Sequence, residues 1–497
     1  MKSKNNLKTG VILSYILLAF NTLYGFVITP YILSHVGVGD YGVYKSVSAL
    51  SASLVVLDLG LGSTMTRYMA KYNAKNDTEN ACNFTAMILI QFFVVAVIVI
   101  LFGVVFYLNI DNIYNASFDG KELKLARNLL TFLIINMVLR LFENLVSGIT
   151  MGYERFTFTN GIKVISIIIK FCLILILLPM VKNILLVVVL ETLIVSLSVI
   201  VFCFYNFTQI GVYPKLSRWD YNEFKESFGY TFLMFVQTIT IQFNGNIDNV
   251  LIGSKISSIS VTVYSMALMI YGMYENLSVS ISNIMLPQMT KKVLANAESD
   301  DLQNSVERIG SLQFILLAAA LGGFIVLGRD FYSIWLGSDF KDCYYLTLIL
   351  IIPVTIPMIQ NVCLSILRAQ NKMVYRTVTL AFSCVINVII TIFGIDLFGY
   401  WGAAVGTSCA TLSNIILMNI YYKRKLKFQI IKMFKNIFGK TLIIAAVSSV
   451  LTWIIHLFMN GTWFSLIINI ISFMVIYMLN IWLWGLDSQS KKMIKIK

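Results

Sequence analysis

Long apolar runs, separated by short polar stretches, recur along the whole chain. An α-helix needs about 20 predominantly apolar residues to cross the hydrocarbon core of a bilayer. Measured against that length, the pattern predicts about fourteen membrane-spanning helices. Their predicted limits are 9–35, 41–65, 83–108, 128–152, 157–180, 183–207, 227–250, 257–286, 310–336, 343–368, 372–395, 399–422, 436–459 and 462–485.

The amino-acid composition agrees with this pattern. Hydrophobic residues make up 58% of the chain and charged residues 12%, a balance that excludes a soluble globular protein. Backbone groups in hydrocarbon must satisfy their own hydrogen bonds, so only helices and closed barrels span membranes. The sequence lacks the short alternating segments that barrel strands require. The predicted fold is therefore an all-α polytopic membrane protein.

The positions of Lys and Arg predict the orientation of the helices, because these residues are retained on the cytoplasmic side. With both termini in the cytoplasm, most of the 38 Lys and Arg residues fall in inside segments, including the basic run 423–427. The net charge of +14 thus reflects membrane orientation, and no basic polar face indicates a nucleic-acid partner.

Short motifs recur at nearly the same spacing in the two parts of the chain. Val43-Tyr44-Lys45-Ser46 opens the second predicted span, and Val263-Tyr264-Ser265-Met266 lies near the start of the eighth. A duplication predicts two pseudo-symmetric six-helix bundles that enclose a cleft, the geometry of a carrier. The predicted parts are an N-terminal bundle (1–208), a cytoplasmic amphipathic connector (209–226), a C-terminal bundle (227–422), and two final helices with a basic tail (423–497).

Several stretches carry a resemblance to a known family. The segment ITPYILSHVGVGDYGVYKSVSALSASLVVLDLGLGSTMTRYMAKY has a G-x-x-x-Y-G turn between the first two helices and a D-x-G segment in the second. It resembles the opening of Wzx-type polysaccharide flippases (O-antigen and capsule), in the multidrug/oligosaccharidyl-lipid/polysaccharide exporter superfamily. Further similar stretches are IDNVLIGSKISSISVTVYSMALMI, LGRDFYSIWLGSDF, SILRAQNKMVYRT and DLFGYWGAAVGTSCATLSN.

This resemblance implies a flippase of the bacterial inner membrane, with no enzymatic activity. Its expected substrate is an undecaprenyl-pyrophosphate-linked oligosaccharide, moved from the cytoplasmic to the outer leaflet by alternating access. The polymerase and glycosyltransferases of the same pathway are its expected partners. The resemblance does not select the oligosaccharide.

Charged residues within the spans are the candidate binding residues, because each costs about 3 kcal/mol near the bilayer centre and usually faces a cavity. Lys45, Arg140 and Lys170 lie within predicted spans of the first bundle. A cleft lined by these cations would suit a pyrophosphate head. Two alternatives remain open: Arg140 could pair with Glu143 on the same helix face, and Lys45 could extend toward the membrane surface.

The remaining candidates are carboxylates and sugar-binding side chains. A carboxylate in a low-dielectric site can exchange a proton near neutral pH or accompany Na⁺, and the candidates for this role are Asp58, Glu143, Asp248 and Glu275. Aromatic and amide side chains suit sugars, and the candidates for a sugar path are Tyr264, Tyr271, Gln237, Gln242 and Asn244. Glu191 is expected to contact a neighbouring helix. No metal site, catalytic group or bound cofactor is predicted.

Other functions stay open. A flippase for the peptidoglycan lipid precursor would also need a cationic cleft, whereas a multidrug exporter of the same superfamily would be expected to have an acidic one. A membrane-embedded glycosyltransferase or polymerase is disfavoured, because the outer loops are short and no catalytic pair of carboxylates is evident.

Overall fold

The regular structure of the chain is helical throughout the part that the computed structural model describes. The described residues are 20–53, 61–219, 221, 225, 242, 245–295, 297–370, 372–459 and 461–485. The helices are α1 (20–36), α2 (Val38–Ala52), α3 (Leu61–Lys75), α4 (Thr78–Tyr114), α5 (Gly120–Gly152), α6 (Phe156–Val181), α7 (Leu185–Tyr205), α8 (245–255), α9 (Ser258–Leu294), α10 (Ser299–Trp335), α11 (Asp342–Ile359), α12 (Asn361–Ala369), α13 (Val374–Phe398), α14 (Tyr400–Lys425), α15 (Ile430–His456) and α16 (Trp463–Asn480). The all-α prediction is confirmed.

Ten helices of the described residues are long and apolar enough to cross a membrane. They are α4 to α7, α10, α11 and α13 to α16, and each coincides with one of the predicted spans. Of the other four predicted spans, three run into residues outside the described ranges and the fourth corresponds to α9. The polytopic helical prediction holds, and the chain is a multi-pass membrane protein.

The spanning helices carry apolar side chains on the outside of the protein. On α4, Phe93, Val97 and Leu101 are more than half exposed, whereas Asn83 and Gln91 of the same helix are buried. A soluble protein would show the reverse distribution. This distribution fits a hydrocarbon solvent, in which buried polar groups find partners inside the protein.

Contacts divide the chain into two compact units, Met1–Thr262 and Val263–Lys497. The division falls inside α9, so the first unit includes α8 and the start of α9 as well as the helices of the predicted N-terminal bundle. The predicted bundle and connector limits stay a prediction.

Within the first unit, α2 packs directly on the turn between α8 and α9. A Cβ atom built on Gly42 would lie 1.8 Å from the carbonyl oxygen of Ser258, so the two backbones touch. Thr262 Oγ1 donates a hydrogen bond of 2.7 Å to the carbonyl oxygen of Val38. Gly253 of α8 lies against Ser46 of α2, because a Cβ atom built on Gly253 would be 2.1 Å from Ser46 Oγ. We call the contact made by Val38, Gly42, Ser46, Gly253, Ser258 and Thr262 the α2–α9 contact.

In the second unit, two prolines interrupt the hydrogen bonding of α11. Pro353 has no N–H to donate to the carbonyl oxygen of Ile349. Ser408 of α14 donates to that oxygen instead, at 2.8 Å. The neighbouring helix thus satisfies the group that the proline leaves without a backbone partner.

The final helices, α15 and α16, pack against α10 in the second unit. Tyr477 Oη donates to the carbonyl oxygen of Ile315 at 2.8 Å. At the end of α15, His456 Nε2 lies 3.2 Å from Asp330 Oδ2 of α10. These contacts attach the predicted C-terminal pair to the second unit.

Helices α13 and α14 approach each other most closely at glycines. A Cβ atom built on Gly402 would lie 2.0 Å from the carbonyl carbon of Gly394. Small residues let membrane helices pack backbone to backbone, where dispersion forces and weak hydrogen bonds stabilise the pair. By contrast, no described residue outside the local backbone of α9 comes within 4 Å of a Cβ atom built on Gly272.

We predict that Gly402→Ala destabilises the protein by about 1 to 3 kcal/mol, because the added methyl group forces two backbones apart. Gly272→Ala is the matched control, and helix propensity should make it neutral or slightly stabilising. Unfolding of both variants in increasing mole fractions of SDS would measure the difference. Equal stability of the two would contradict the packing account.

Candidate functional site

A polar cavity of ≈ 250 Å³ lies among α5, α6 and α7 of the first unit, with one residue of α1 at its edge. More than half of its lining residues have charged or amide side chains, although the surrounding helices are strongly apolar. The lining residues are Asn21, Arg140, Glu143, Asn144, Lys163, Ser166, Ile167, Lys170, Glu191, Ile194, Val195 and Ser198.

Glu191 of α7 joins two of the predicted cations. Its Oε1 atom accepts a hydrogen bond from Arg140 Nη2 of α5. Its Oε2 atom lies 3.7 Å from Lys170 Nζ of α6. One carboxylate therefore bridges two cations on different helices. The sequence analysis expected Glu191 to contact a neighbouring helix, and it contacts two.

A hydrogen-bond chain fixes the guanidinium of Arg140. Arg140 Nε donates to Asn136 Oδ1 at 2.9 Å, and Asn136 Nδ2 donates to Thr192 Oγ1 at 3.4 Å. Because Asn136 and Arg140 are four residues apart, they share one face of α5. Asn136 thus holds the side chain in position while the Nη atoms point toward Glu191.

Tyrosine rings flank the two lysines. Lys45 Nζ lies 5.3 Å from the ring centre of Tyr41 and 5.7 Å from that of Tyr44. Lys170 Nζ lies 4.7 Å from the ring centre of Tyr24. A ring face attracts a cation within about 6 Å, which partly replaces its lost hydration. Lys45 interacts mainly with Tyr41 and Tyr44 and more weakly with Glu191. Arg140 and Lys170, by contrast, contact Glu191 directly.

Glu143 lies in the same cavity but makes different contacts. Electrostatic interactions link it to Arg140 and Lys163, and Ser198 lies beside it in the cavity. Ser198 Oγ in turn lies 3.0 Å from Ser166 Oγ. Arg140 hydrogen-bonds to Glu191, so Glu143 is a secondary neighbour of Arg140.

The other predicted residues lie elsewhere. Tyr271 Oη donates to Glu275 Oε1 at 3.0 Å in the second unit, which joins a sugar-path candidate to a coupling candidate. Tyr264 is fully buried and Asp248 is 2% exposed. Gln242 accepts a hydrogen bond of 3.1 Å from Asn246. Three predicted residues fall outside the described ranges: Asp58, Gln237 and Asn244.

Two charged residues of the cavity were absent from the predicted binding set, Lys163 and Glu191. Lys163 lies near the cytoplasmic end of its predicted span, where a lysine is ordinary. Glu191 lies inside an apolar run, and that position alone was a signal of an interior location. Across the described residues, no group of three His, Cys, Asp or Glu side chains could hold a metal ion.

The sequence matches a known protein family over more than half its length. The family described as "Polysaccharide biosynthesis protein" matches residues 7–293. No curated protein sequence matches the chain.

Solved transporters share the fold. The lipid II flippase MurJ in an inward closed conformation aligns with a TM-score of 0.71 at 13% identity, covering 95% of this chain and 97% of that one. An inward-facing MATE-family multidrug resistance transporter of the MOP superfamily gives 0.60 at 13% identity, covering 79% and 94%. The MATE multidrug transporter DinF-BH gives 0.58 at 13% identity, covering 85% and 96%. At this identity the likeness establishes the fold.

We predict a measurable coupling between Arg140 and Glu191. Each single alanine variant should lose stability, because it leaves a partly buried charge without its main counter-charge. The double variant should lose less than the sum, by about 1 to 2 kcal/mol, since the Arg140 side chain is 48% exposed and partly screened. A double-mutant cycle measured by SDS unfolding would give this value, and strict additivity would contradict the contact.

Proposed function

This chain belongs to the polysaccharide biosynthesis protein family, and from that membership we propose that it is a flippase for undecaprenyl-pyrophosphate-linked oligosaccharides. It moves these lipids from the cytoplasmic to the outer leaflet of a bacterial inner membrane, where both of its termini face the cytoplasm. Glycosyltransferases would supply the substrate and a polymerase would consume it.

The observation that carries this proposal is the convergence of cations at one cavity. Arg140, Lys163 and Lys170 line it together, and Lys45 has a weaker electrostatic interaction with Glu191. Guanidinium and ammonium groups are the preferred ligands of phosphate oxygens. Holding several cations in a low-dielectric interior is costly, and a polyanionic substrate headgroup offers a reason for them.

The cavity also separates the candidate substrates by charge. Its lining has three cations, Arg140, Lys163 and Lys170, and two carboxylates, so the excess of positive charge disfavours a cationic drug. The lipid precursor of peptidoglycan also carries a diphosphate, so a flippase for that precursor is the second candidate. The similarity of the fold to the lipid II flippase MurJ supports this second candidate. The polyprenyl tail can stay in the lipid while the headgroup crosses.

Energy coupling by H⁺ or Na⁺ completes the proposal. Glu143 lies in the cation-rich cavity, and Glu275 accepts a hydrogen bond from Tyr271 in the second unit. Either carboxylate could take up an ion as substrate leaves. Tyr271 and its neighbours on α9 would then serve as part of the sugar path.

Alternating access requires a contact that opens and closes. The α2–α9 contact lies at the predicted outer ends of its helices, and its glycines let the backbones touch. We propose that this contact closes the outer side while the headgroup enters from the cytoplasm.

The cation-rich cavity predicts that Arg140→Ala and Lys170→Ala each reduce translocation at least tenfold, since a charged hydrogen bond contributes about 1.5 to 3 kcal/mol. Arg127→Ala is the matched control: it lies on the same helix and pairs with Asp111 on the protein surface. The measurement is translocation of undecaprenyl-pyrophosphate-linked oligosaccharide in reconstituted vesicles. Full activity of both cavity variants would remove the proposed mechanism, and transport of the peptidoglycan precursor alone would select the second candidate.

The α2–α9 contact predicts that a cross-link there stops transport. A Cβ atom built on Gly39 lies 3.6 Å from Ser258 Oγ, so the two side-chain positions are direct neighbours and Gly39→Cys with Ser258→Cys is the pair to oxidise to a disulfide. Oxidation should reduce translocation at least tenfold, which corresponds to raising the free energy of opening the contact by about 1.4 kcal/mol or more. A reducing agent should restore translocation. Each single cysteine variant is the control. Undiminished translocation with complete cross-linking would contradict the opening of this contact.

A further inference from the structure

Glu191 occupies the position that a bound anion would take. Its two oxygens face different cations: Oε1 accepts from Arg140, and Oε2 lies 3.7 Å from Lys170 Nζ. Lys45 contributes a third positive charge nearby. Carboxylate and phosphate oxygens are the same class of acceptor for guanidinium and ammonium groups. The contacts that Glu191 makes are therefore the ones that a diphosphate would need.

The bridge is also accessible from the cavity. The side chain of Arg140 is 48% exposed, that of Glu191 is 22% exposed and that of Lys170 is 19% exposed. An anion in the cavity can approach these cations without unfolding a helix. Because Asn136 holds Arg140 from the other side, the guanidinium would stay in place when its Nη atoms changed partner.

An empty cavity without Glu191 would be electrostatically unfavourable. Arg140 and Lys170 would lose the carboxylate that bridges them and only Glu143 would remain as an acidic group of the cavity, and unpaired charges in a low-dielectric interior are strongly destabilising. The Glu191 carboxylate stabilises this set of cations when no substrate is bound. It must also weaken the binding of any anion that competes for them.

We propose that Glu191 is an internal counter-ion that holds the anion position of the empty carrier and competes with the diphosphate of the substrate for Arg140 and Lys170. This inference rests on the proposed function. It assigns to Glu191 the control of substrate affinity: the carboxylate returns to the two cations as the headgroup leaves. Glu191 thus favours release and lets the cavity empty on the far side.

A static ion pair makes the opposite prediction. If Glu191 only positioned Arg140 and Lys170, its removal would disorder both side chains and weaken anion binding. If Glu191 competes with the anion, its removal must strengthen anion binding. The sign of the change in affinity therefore distinguishes the two roles.

The test measures binding of inorganic pyrophosphate to the purified full chain in lipid nanodiscs, by calorimetry at fixed ionic strength. Glu191→Gln should bind pyrophosphate about tenfold more tightly than the unmodified protein. Glu143→Gln is the matched control, because it removes the same charge from the same cavity but leaves in place the carboxylate that bridges Arg140 and Lys170. Its affinity should rise by no more than about twofold to threefold, the effect of net charge alone.

A second variant keeps the test decisive if Glu191→Gln does not fold. Glu191→Asp retains the charge but withdraws it by one methylene group, so pyrophosphate should bind about threefold more tightly. In vesicles, both Glu191 variants should translocate lipid-linked oligosaccharide more slowly while binding more tightly. A purely structural role would not produce that combination.

The outcomes separate this inference from the function on which it rests. Unchanged or weaker pyrophosphate binding by a folded Glu191 variant, in a protein whose unmodified form binds pyrophosphate, overturns the counter-ion role and leaves the flippase proposal standing. An equal increase in Glu143→Gln overturns it as well, because charge alone would then explain the effect. Failure of the unmodified protein to bind pyrophosphate overturns both.

Discussion

Charge inside a low-dielectric protein requires a partner, and the bridge from Arg140 through Glu191 to Lys170 meets that requirement across three helices. The bridge ties α5, α6 and α7 together inside a polar cavity of otherwise strongly apolar helices. Glu191 is the common partner, so its removal would leave both Arg140 and Lys170 without the carboxylate that they share. The site and the packing of the first unit thus depend on the same contacts.

Hydropathy predicted ten of the spans closely because those helices are apolar along most of their length. It was less informative for α9, whose inward side chains form polar contacts: Ser278 donates to the carbonyl oxygen of Met358, and Tyr274 pairs with Thr355. A helix surrounded by protein does not need an apolar surface on every side, so its sequence does not carry the full signal of a span. Sequence patterns did not predict the limits of the compact units. The packing of α2 on Ser258 joins residues that are far apart in the sequence.

The rarity of intramembrane charge identified Lys45, Arg140 and Lys170, but sequence could not supply their pairing. Arg140 and Glu191 are separated by 51 positions, whereas helical spacing favoured Glu143 on the same face. Which carboxylate reaches the guanidinium depends on how α7 lies beside α5. A spacing rule describes one helix, and an intramembrane site is formed by several.

The second unit also buries polar side chains through hydrogen-bond networks of neutral groups. Gln313 donates to Ser278 and Ser282 at 3.0 and 2.7 Å, and Gln360 donates to Asn419 at 2.7 Å. Neutral networks of this kind stabilise helix packing without attracting a polyanion. If the repeats arose by duplication, the fold was retained in both while the cation-rich cavity developed in the first. Under the proposed function, only the first unit would need to hold the headgroup. The second unit would then offer hydroxyl and amide groups that suit uncharged sugars, together with the Glu275 carboxylate beside Tyr271.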